Sequence, residues 1–433
     1  MVSGCEGMAQ MTRRQALAEG IRVGQDAQGR RLIAHPEAET ITRAELVRRA
    51  RGMVPALRER AAASEAARRL LPETFDDFTR AGFFRICQPK RFGGFEMGIE
   101  VLEEVLVEIG RGCVSSAWNL GILTGHAWWA AQFPEAGQEE IFGDEGVALL
   151  PTGIFGAGGK AKRVEGGYEL SGRWAYQSGV DVANWYGCGA LLEDETGGLP
   201  AGVTFIVPRD EGVVEDDWHT MGMRGTGSKT VVVEKTFVPE RRALLLALVD
   251  AQETPGSKLH PNALYSTPLF AFISIEVTGA AVGGALGAVD ALEELGRTKP
   301  VRSRGGGGGE TAAMQSSLPA FRRRLGEAKS LADAAKALLL TESERLMALS
   351  AECKATGRKM TREEIAEVTL RQTRCIDLCV QAVRQAFVAA GTSATVTGHP
   401  IERNLRDVYT LSTHRVLSLD NGAEAWATAH YGA

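Results

Sequence analysis

The pattern of apolar and polar positions divides the chain into three parts. From residue 41 to about 142, apolar residues return at three- and four-residue steps with charges between them, which predicts amphipathic helices. From about 146 to 239, short alternating runs are separated by turn residues, as in a small antiparallel β domain. The helical period then returns from about 268 to 390, over long segments typical of an antiparallel bundle. Those segments are 270–295, 317–348 and 362–389.

We therefore predict a mainly α protein with a central β domain. The predicted parts are an N-terminal extension over 1–38, an N-terminal helical domain over 39–145, a β domain over 146–245 and a C-terminal helical bundle over 246–433. The extension has no sustained period, so we expect it to be loose. Five consecutive glycines at 305–309 predict a mobile loop between the first two bundle helices.

Composition and charge limit the classes of partner that we expect for this chain. The 49 Lys and Arg residues against 54 Asp and Glu give a net charge of −5, which argues against nucleic acid as a main partner. The seven cysteines include no CxxC pair, and no His or Cys cluster completes a metal site, so we expect reduced thiols and no metal. Because Gly, charged or polar residues interrupt every apolar run, we expect no membrane partner and a cytoplasmic protein.

Residues 406–415, Arg-Asp-Val-Tyr-Thr-Leu-Ser-Thr-His-Arg, carry the first chemical signal. An Arg-Asp pair before such a run resembles the segment by which the last helices of acyl-CoA dehydrogenases approach their flavin. The order of helices, β domain and bundle extends this resemblance over residues of about 40 to 433. It implies an acyl-CoA dehydrogenase-like fold with an N-terminal helical domain, a small β-barrel or sandwich domain and a C-terminal four-helix bundle.

The catalytic position of those dehydrogenases is changed in this chain. Many of them have a glutamate eight residues after the Asp, whereas here Arg415 stands at that spacing, preceded by His414. A guanidinium cannot replace a carboxylate base, but an imidazole donates or accepts a proton near neutral pH. His414 is therefore the first candidate catalytic residue, and a surface histidine on a terminal helix is the alternative.

A second motif resembles the two-component flavin monooxygenases of this superfamily, such as the p-hydroxyphenylacetate hydroxylases. The run Cys-Val-Ser-Ser-Ala-Trp ends at Trp118, and His126 follows eight residues later. Eight residues are slightly more than two helical turns, so both side chains lie on nearly one face. The resemblance implies that Trp118 and His126 line the site over the flavin, with His126 catalytic. A packing tryptophan and a core or capping histidine are the alternatives.

The β domain contains further segments that resemble this family. The run at 172–179 carries Trp174 and Ser178, and Thr152 offers another hydroxyl. The resemblance implies that all three meet the flavin ring, with Ser178 bonding near flavin N5 as a catalytic residue. A core aromatic and a turn serine are the alternatives for Trp174 and Ser178.

Two arginine-containing segments complete the predicted cofactor site. In the run at 222–228, which precedes a strand at 230–237 and a Val-Pro pair, the resemblance implies flavin binding by Arg224, Thr226 and Ser228. After the first bundle helix it implies that Arg302 or Arg304, with Gln315, reaches the cofactor phosphates of a neighbouring subunit. Arginine suits phosphate because its donors form a planar fork, although a solvated basic loop explains the same residues.

The resemblance implies a specific activity. It is that of the oxygenase component of a two-component monooxygenase, which takes reduced FMN or FAD from a separate flavin reductase, by contact or through diffusion of the flavin. With O2 a C4a-hydroperoxyflavin forms and hydroxylates a phenolic or polyketide-like aromatic. The Gly-rich run lies in a β domain and opens no helix, so the chain shows no NAD(P)H-binding fingerprint. Because the phosphate site requires a neighbour, we expect a homotetramer.

Other activities remain open on the sequence. Some dehydrogenases of this fold take their glutamate from the first bundle helix, where Glu276 lies here. Aligning Gly283 and Gly284 with the usual pair of small residues leaves Glu276 one position off, a rotation of about 100° that aims it away from the flavin. An inward Glu276 would favour an FAD-dependent acyl-CoA dehydrogenase. N- or S-oxygenation by the same fold, and a non-catalytic flavin-fold protein in an assembly, are further alternatives.

Overall fold

The computed structural model describes residues 17, 19–25, 29–143, 146–154, 158–192, 201–301 and 313–432. Two predicted features, the phosphate-binding Arg302 and Arg304 and the glycine loop at 305–309, lie outside these residues. The greater part of the predicted N-terminal extension is also outside them.

Helices form the part before the β domain, where the apolar period predicted them. They are α1 (Arg43–Ala67), α2 (Pro72–Arg80), α3 (Ile99–Gly112), α4 (Val114–Ala130) and α5 (Glu135–Phe142). Helix α1 begins after Thr42, whose side chain accepts the N–H of Glu45. Almost every residue of α4 is buried, because this helix lies between α3 and the β domain.

A hairpin precedes α1, in the segment expected to be loose. Strands β1 (Arg22–Gln25) and β2 (Arg31–Ala34) pair antiparallel, and Ile33 is buried where the backbone bridges to Phe92. The expectation of a loose extension is therefore wrong for these residues. Strands of four residues are too short to give a period that stands out in the sequence.

The β domain has its own apolar core, built on one sheet. Its strands are β3 (Thr152–Gly153), β4 (Gly159–Val164), β5 (Gly167–Gln177), β6 (Trp185–Leu192), β7 (Ala201–Pro208), β8 (Val213–Glu215), β9 (Lys229–Pro239) and β10 (Ala243–Leu245). The order is β10-β7-β6-β4-β5-β9-β8, with β3 against β6. Most pairs are antiparallel, but β3 and β4 run parallel to β6, so the sheet is mixed and the purely antiparallel prediction is wrong.

A β-bulge at the end of β5 sets the direction in which the predicted site side chains point. The register with β9 shifts between Trp174 and Gln177, and Tyr176 there has a left-handed φ of 64°. The bulge leaves Tyr176 exposed while Trp174 and Gln177 both turn inward. The following residue, Ser178, is thereby buried toward the helices.

The remaining helices form the C-terminal bundle and its connections. They are α6 (Leu246–Asp250), α7 (Pro255–Leu259), α8 (Leu269–Ile275), α9 (Thr278–Thr298), α10 (Pro319–Thr356), α11 (Arg362–Ala390), α12 (Pro400–Ser412) and α13 (Leu419–Tyr431). The helix expected over 270–295 is interrupted, because Val277 leaves the helical region with φ −131° and ψ 3°. The break separates α8 from α9 directly after Glu276.

The expectation that every apolar run is too short to cross a membrane is wrong for Leu269–Thr298. Within the described part of the chain this segment is long and apolar enough to cross a membrane by length and composition. In the fold, however, 89% of its most apolar window is buried, since α9 packs against α3, α10, α11 and α12. Small residues permit this packing: a Cβ at Gly283 would lie 2.6 Å from the Cα of Gly110.

Candidate active site

A chain of hydrogen bonds crosses the seam between α4 and the β domain. Trp118 Nε1 donates to Ser178 Oγ over 2.9 Å, and Ser178 Oγ lies 2.7 Å from Ser228 Oγ. Ser228 Oγ lies 2.6 Å from Thr226 Oγ1, which donates to the carbonyl of Met223 over 2.8 Å. Four residues predicted from three separate motifs are thus brought into one buried cluster, the hydroxyl chain Trp118–Ser178–Ser228–Thr226.

The direction of every bond in the hydroxyl chain follows from its two ends. An indole N–H only donates, and a carbonyl oxygen only accepts. Because the Thr226 proton goes to the Met223 carbonyl, Ser228 must donate to Thr226, and Ser178 must donate to Ser228. Ser178 therefore has its own proton committed and accepts from Trp118, so only a lone pair remains to meet a ligand.

The loop that carries Thr226 and Ser228 is fixed by the C-terminal segment. Met223 has a left-handed φ of 56°, and its N–H donates to Asp407 Oδ1 over 2.6 Å. Asp407 is fully enclosed, and burial raises the pKa of its carboxyl to about 6. The Arg-Asp pair recognised in the sequence is therefore an anchor that connects α12 to the β domain.

Two close approaches explain small residues in this loop. A Cβ at Gly225 would lie 2.6 Å from Ser64 Oγ, so only glycine allows the loop to contact α1. A Cβ at Gly222 would lie 2.2 Å from the Arg406 carbonyl oxygen. Both glycines let the backbone approach its neighbours.

His414 lies at the open side of the hydroxyl chain. Its ring meets Trp118 edge-on, with centroids 5.8 Å apart and planes at 64°. Within the described residues no hydrogen bond holds either ring nitrogen. The residue keeps an exposed surface, while the protein atoms packed on its other side lower the pKa of the imidazole by desolvation. The position agrees with an acid–base group that exchanges protons with solvent.

His126 lies deeper, on the same side of α4 as Trp118. It is 5% exposed, its Nδ1 lies 2.6 Å from the Leu150 carbonyl oxygen, and its Nε2 lies 3.3 Å from Glu276 Oε1. Leu123 lies between Trp118 and His126 in the helix. It packs so close to Gly179 that a Cβ added there would lie 3.1 Å from Leu123 Cδ1. The predicted shared face of Trp118 and His126 is present, but His126 does not join the hydroxyl chain.

The orientation of the Glu276 side chain differs from the prediction. Glu276 was expected to point away from the site, yet it is 4% exposed and turned toward His126. The helix break after α8 produces this orientation, because Glu276 is no longer on the same regular helix as Gly283 and Gly284.

Other predicted residues lie apart from the hydroxyl chain. Trp174 belongs to the core of the β domain and donates to the Gly189 carbonyl over 2.7 Å, which is the core-aromatic alternative. Arg224 donates to the Thr220 carbonyl and lies 3.5 Å from Glu65, so its guanidinium is engaged with protein groups.

Thr152 and Gln315 occupy more open positions. Thr152 is half-buried in β3, opposite Gly187. Gln315 is half-buried beyond α9, with its amide 3.5 Å from the Pro300 carbonyl. Neither contacts the hydroxyl chain in this structure.

Two buried amides were missed by the sequence interpretation. Gln177 is 1% exposed, and neither polar atom of its side chain has a partner among the described residues. Asn119 donates to the Gly225 carbonyl over 3.2 Å, but its Oδ1 also lacks a partner there. The only signal in the sequence was adjacency, since these residues neighbour Ser178 and Trp118.

These orphaned atoms test whether a flavin fits. An unsatisfied buried polar atom costs about 1–3 kcal/mol. The orphaned Asn119 Oδ1 neighbours the loop of Thr226, and the orphaned Gln177 amide lies near Gly153 and Trp174, so both positions offer donors or acceptors to a polar ligand. An isoalloxazine ring presents donors and acceptors along its edge and a flat apolar face. It suits a pocket wall with an indole, hydroxyls and amides, and the residues present therefore fit the cofactor.

Comparisons with known proteins show the family of the chain. The family described as acyl-CoA dehydrogenase, C-terminal domain, matches residues 276–419. A pigment production hydroxylase of Rhodococcus sp. (strain ATCC 21145) is 35% identical over 89% of this chain and 95% of its own length. The oxygenase component of the FADH(2)-dependent resorcinol hydroxylase of Rhizobium sp. (strain MTP-10005) is 30% identical, over 88% and 93%.

Solved structures show the same architecture. The 3-HSA hydroxylase from Rhodococcus sp. RHA1 superposes with a TM-score of 0.81 at 27% identity, covering 91% of this chain and 98% of that one. XiaF from Streptomyces sp., solved with FADH2 and glycerol, gives 0.80 at 27% identity, covering 90% and 96%.

Proposed function

Because the chain belongs to the two-component flavin-dependent monooxygenases of the acyl-CoA dehydrogenase fold, as an oxygenase component, we propose that it hydroxylates a phenol beside the hydroxyl chain. The predicted fold, the reduced-flavin monooxygenase activity and the flavin cofactor are confirmed by these relatives, and a reductase component is the partner that such an oxygenase requires. The two curated relatives named above are hydroxylases and not acyl-CoA dehydrogenases.

The direction of the hydroxyl chain carries the proposal. Ser178 offers a ligand only an acceptor, since its proton is committed to Ser228. Reduced flavin has an N–H at N5, whereas oxidised flavin has only a lone pair there. A ring placed with N5 at Ser178 would therefore gain a hydrogen bond when reduced and meet an unfavourable lone pair when oxidised. This supports a preference for reduced flavin, as expected of a chain whose sequence shows no nicotinamide-binding fingerprint.

The surrounding residues have separable roles in this proposal. Bound reduced flavin supplies the reaction with O2. Trp118 and Ser178 close the inner wall and exclude water from the reacting edge, while His414 on the open side exchanges a proton with the bound reactants. Asp407 keeps the loop of Thr226 and Ser228 in place through Met223.

The substrate and the flavin are proposed from chemistry and likeness. One relative is named for resorcinol, a phenol, and the wall formed by Trp118 and His414 suits a flat ring with an acidic hydroxyl. FADH2 appears both in that name and in a neighbouring structure, so we propose FAD over FMN. Resorcinol is accordingly the first compound to assay.

Anaerobic titration with reduced and oxidised FAD tests the central claim. The wild-type protein should bind reduced FAD more tightly, and Ser178→Ala should reduce that preference about tenfold, the size expected from one buried hydrogen bond. Ser171→Ala, on the same strand β5, is the control that should leave the preference intact. Equal binding of the two redox forms by wild-type protein, or reductase-free reduction of a dye by an acyl-CoA, would contradict the proposal.

We also propose a homotetramer in the cytoplasm. Val388 and Val396 expose apolar surface near the end of α11, which a neighbouring subunit would cover. The cysteines that the structure describes are free and buried, in keeping with a reducing compartment. Light scattering at micromolar concentration tests the first point, since a monomer would contradict it, and cell fractionation tests the second.

A further inference from the structure

A cleft separates α4 from the segment 150–153, which leads into the β domain. At the first residue of this segment, the Leu150 carbonyl oxygen lies 2.6 Å from His126 Nδ1. At the last residue, a Cβ at Gly153 would lie 2.6 Å from Nε2 of Gln177, which directly precedes the first serine of the hydroxyl chain. The segment therefore runs along α4 from the inner histidine to the hydroxyl chain.

Ile122 is the only residue of α4 that is not buried. It lies one helical turn from Trp118 and one turn from His126, so the three side chains share the face of α4 that meets the cleft. Across from it, Thr152 and Gly153 of β3 are also only half-buried. Accessible surface in the middle of an otherwise buried helix requires an opening, so the space between Ile122 and β3 can receive a ligand.

The width of this cleft is fixed on both sides of α4. Beside Ile122, a Cβ at Gly121 would lie 2.7 Å from the Glu276 carbonyl oxygen, so the helix cannot move away from the cleft. Leu123 packs against the β domain at Gly179, where an added Cβ would lie 3.1 Å from its Cδ1. Isoleucine is β-branched and keeps one strongly preferred χ1 rotamer in a helix. The cleft therefore cannot widen by movement of the helix or by rotation of this side chain.

The length of the open part follows from helix geometry. Trp118 and His126 are about 12 Å apart along the axis of α4, at 1.5 Å per residue, and both are buried. The flavin edge proposed at Ser178 takes the end of the cleft beside Trp118. The part that remains is centred on Ile122 and has room for one aromatic ring.

We propose that Ile122 is a specificity-determining residue, which lies against the substrate ring and restricts the enzyme to phenols of a single ring. This inference rests on the proposed function, because it assumes an aromatic substrate between the flavin and α4. A second, fused ring would overlap the Ile122 side chain, which neither rotates nor retreats. One methylene in a hydrophobic pocket changes discrimination about 10–200-fold, so removal of three carbon atoms should be easily measured.

The proposal is tested with resorcinol, which has one ring, and 2-naphthol, which has two. Their binding to protein saturated with reduced FAD is measured by anaerobic equilibrium dialysis. Ile122→Ala should raise the affinity for 2-naphthol relative to resorcinol at least tenfold over wild-type protein. Ile122→Val, which keeps the β-branch and removes one carbon atom, should give a smaller rise. An unchanged ratio in folded Ile122→Ala would overturn the proposal.

A larger side chain tests the same position in the opposite direction. Ile122→Phe should fill the cleft and weaken resorcinol binding at least tenfold, while binding of reduced FAD stays as in wild-type protein. Resorcinol binding that is unaffected by Ile122→Phe would show that the substrate ring lies elsewhere.

The matched control is Ile365→Ala, since Ile365 is a half-buried isoleucine on α11, remote from the cleft. Its affinity ratio should equal that of wild-type protein, and an equal rise there would overturn the assignment to Ile122. Wild-type protein that binds reduced FAD but neither binds nor hydroxylates either phenol would contradict the proposed function, and this inference with it. Binding of both phenols with no change of ratio in the variants would contradict the inference alone.

Discussion

His126 and His414 are the two histidines proposed for acid–base chemistry, and they are held in opposite ways. The inner histidine is buried with both ring nitrogens facing protein acceptors, while the outer one keeps an exposed surface and meets Trp118 only edge-on. A ring with both nitrogens engaged can exchange a proton only by exchanging a partner, whereas an open ring can exchange with water. The buried ring is thus suited to a fixed orientation, and the open ring to proton exchange with solvent.

The variant His414→Ala is the most direct test of this difference between the two histidines and should have the largest effect. Acid–base groups contribute typically ~10²–10⁴-fold in rate, so product formation should fall by more than tenfold while O2 consumption continues and hydrogen peroxide is released. Binding of reduced flavin should change little, because the proposed ring contacts lie on the hydroxyl chain. The measurement is product and peroxide formed per O2 consumed.

A matched histidine separates this effect from a loss of stability. His430 is on α13 and pairs with Glu363, so His430→Ala should couple like wild-type protein. Full coupling in His414→Ala, combined with inactivity of Glu276→Gln, would place the whole acid–base function at the inner end.

The stability that Asp407 gives to the C-terminal segment should also depend on pH. Burial raises the pKa of Asp407 from 3.8 to about 6, so between these values the folded state binds a proton that the unfolded state has lost. Stability from this group is therefore full below about pH 4 and falls as pH rises through 6, by roughly 3 kcal/mol at 1.36 kcal/mol per pKa unit.

Asp407→Asn tests this sign. The amide oxygen can still accept the Met223 N–H, so the variant should fold and lack this part of the pH dependence. Urea unfolding of both proteins from pH 4 to 7 measures the difference in free energy. A difference that stays constant over this range would show that Asp407 does not titrate there.

A substitution in the hydroxyl chain should have an effect of intermediate size on coupling. Ser178→Ala leaves the Trp118 indole without its acceptor, and a lost buried hydrogen bond of about 1.4 kcal/mol corresponds to about a tenfold change. We expect the ratio of peroxide to product to rise by about that factor. Ser393→Ala, remote on the bundle beside Lys299, is the control, and an equal rise there would remove Ser178 from the site.

The smallest effects should distinguish the two tryptophans. Trp118→Phe removes the first donor of the hydroxyl chain and should lower coupling severalfold. Trp174→Phe removes a bond to Gly189 inside the β core, so it should cost about 1–3 kcal/mol of stability and leave coupling near wild type. Parallel measurement of unfolding and coupling checks both, and uncoupling by Trp174→Phe would return that residue to the flavin site.

What the sequence determined by itself was local. Apolar periods located the long helices and the alternating strands, and the eight-residue spacing placed Trp118 and His126 on one helix face. The motif at 406–415 indicated a changed catalytic position at His414. These features depend on neighbours a few residues apart, and a helix or strand repeats that spacing in space.

Only the tertiary structure decided which distant groups meet. The break at Val277 turned Glu276 toward His126, and the bulge at Tyr176 brought Ser178 to Trp118. Asp407 reached Met223 across the domain boundary. Such contacts depend on one backbone irregularity or one close approach between elements far apart in the chain. A period averaged over many residues contains no record of them, because the deviation of a single residue is enough to reorient a side chain.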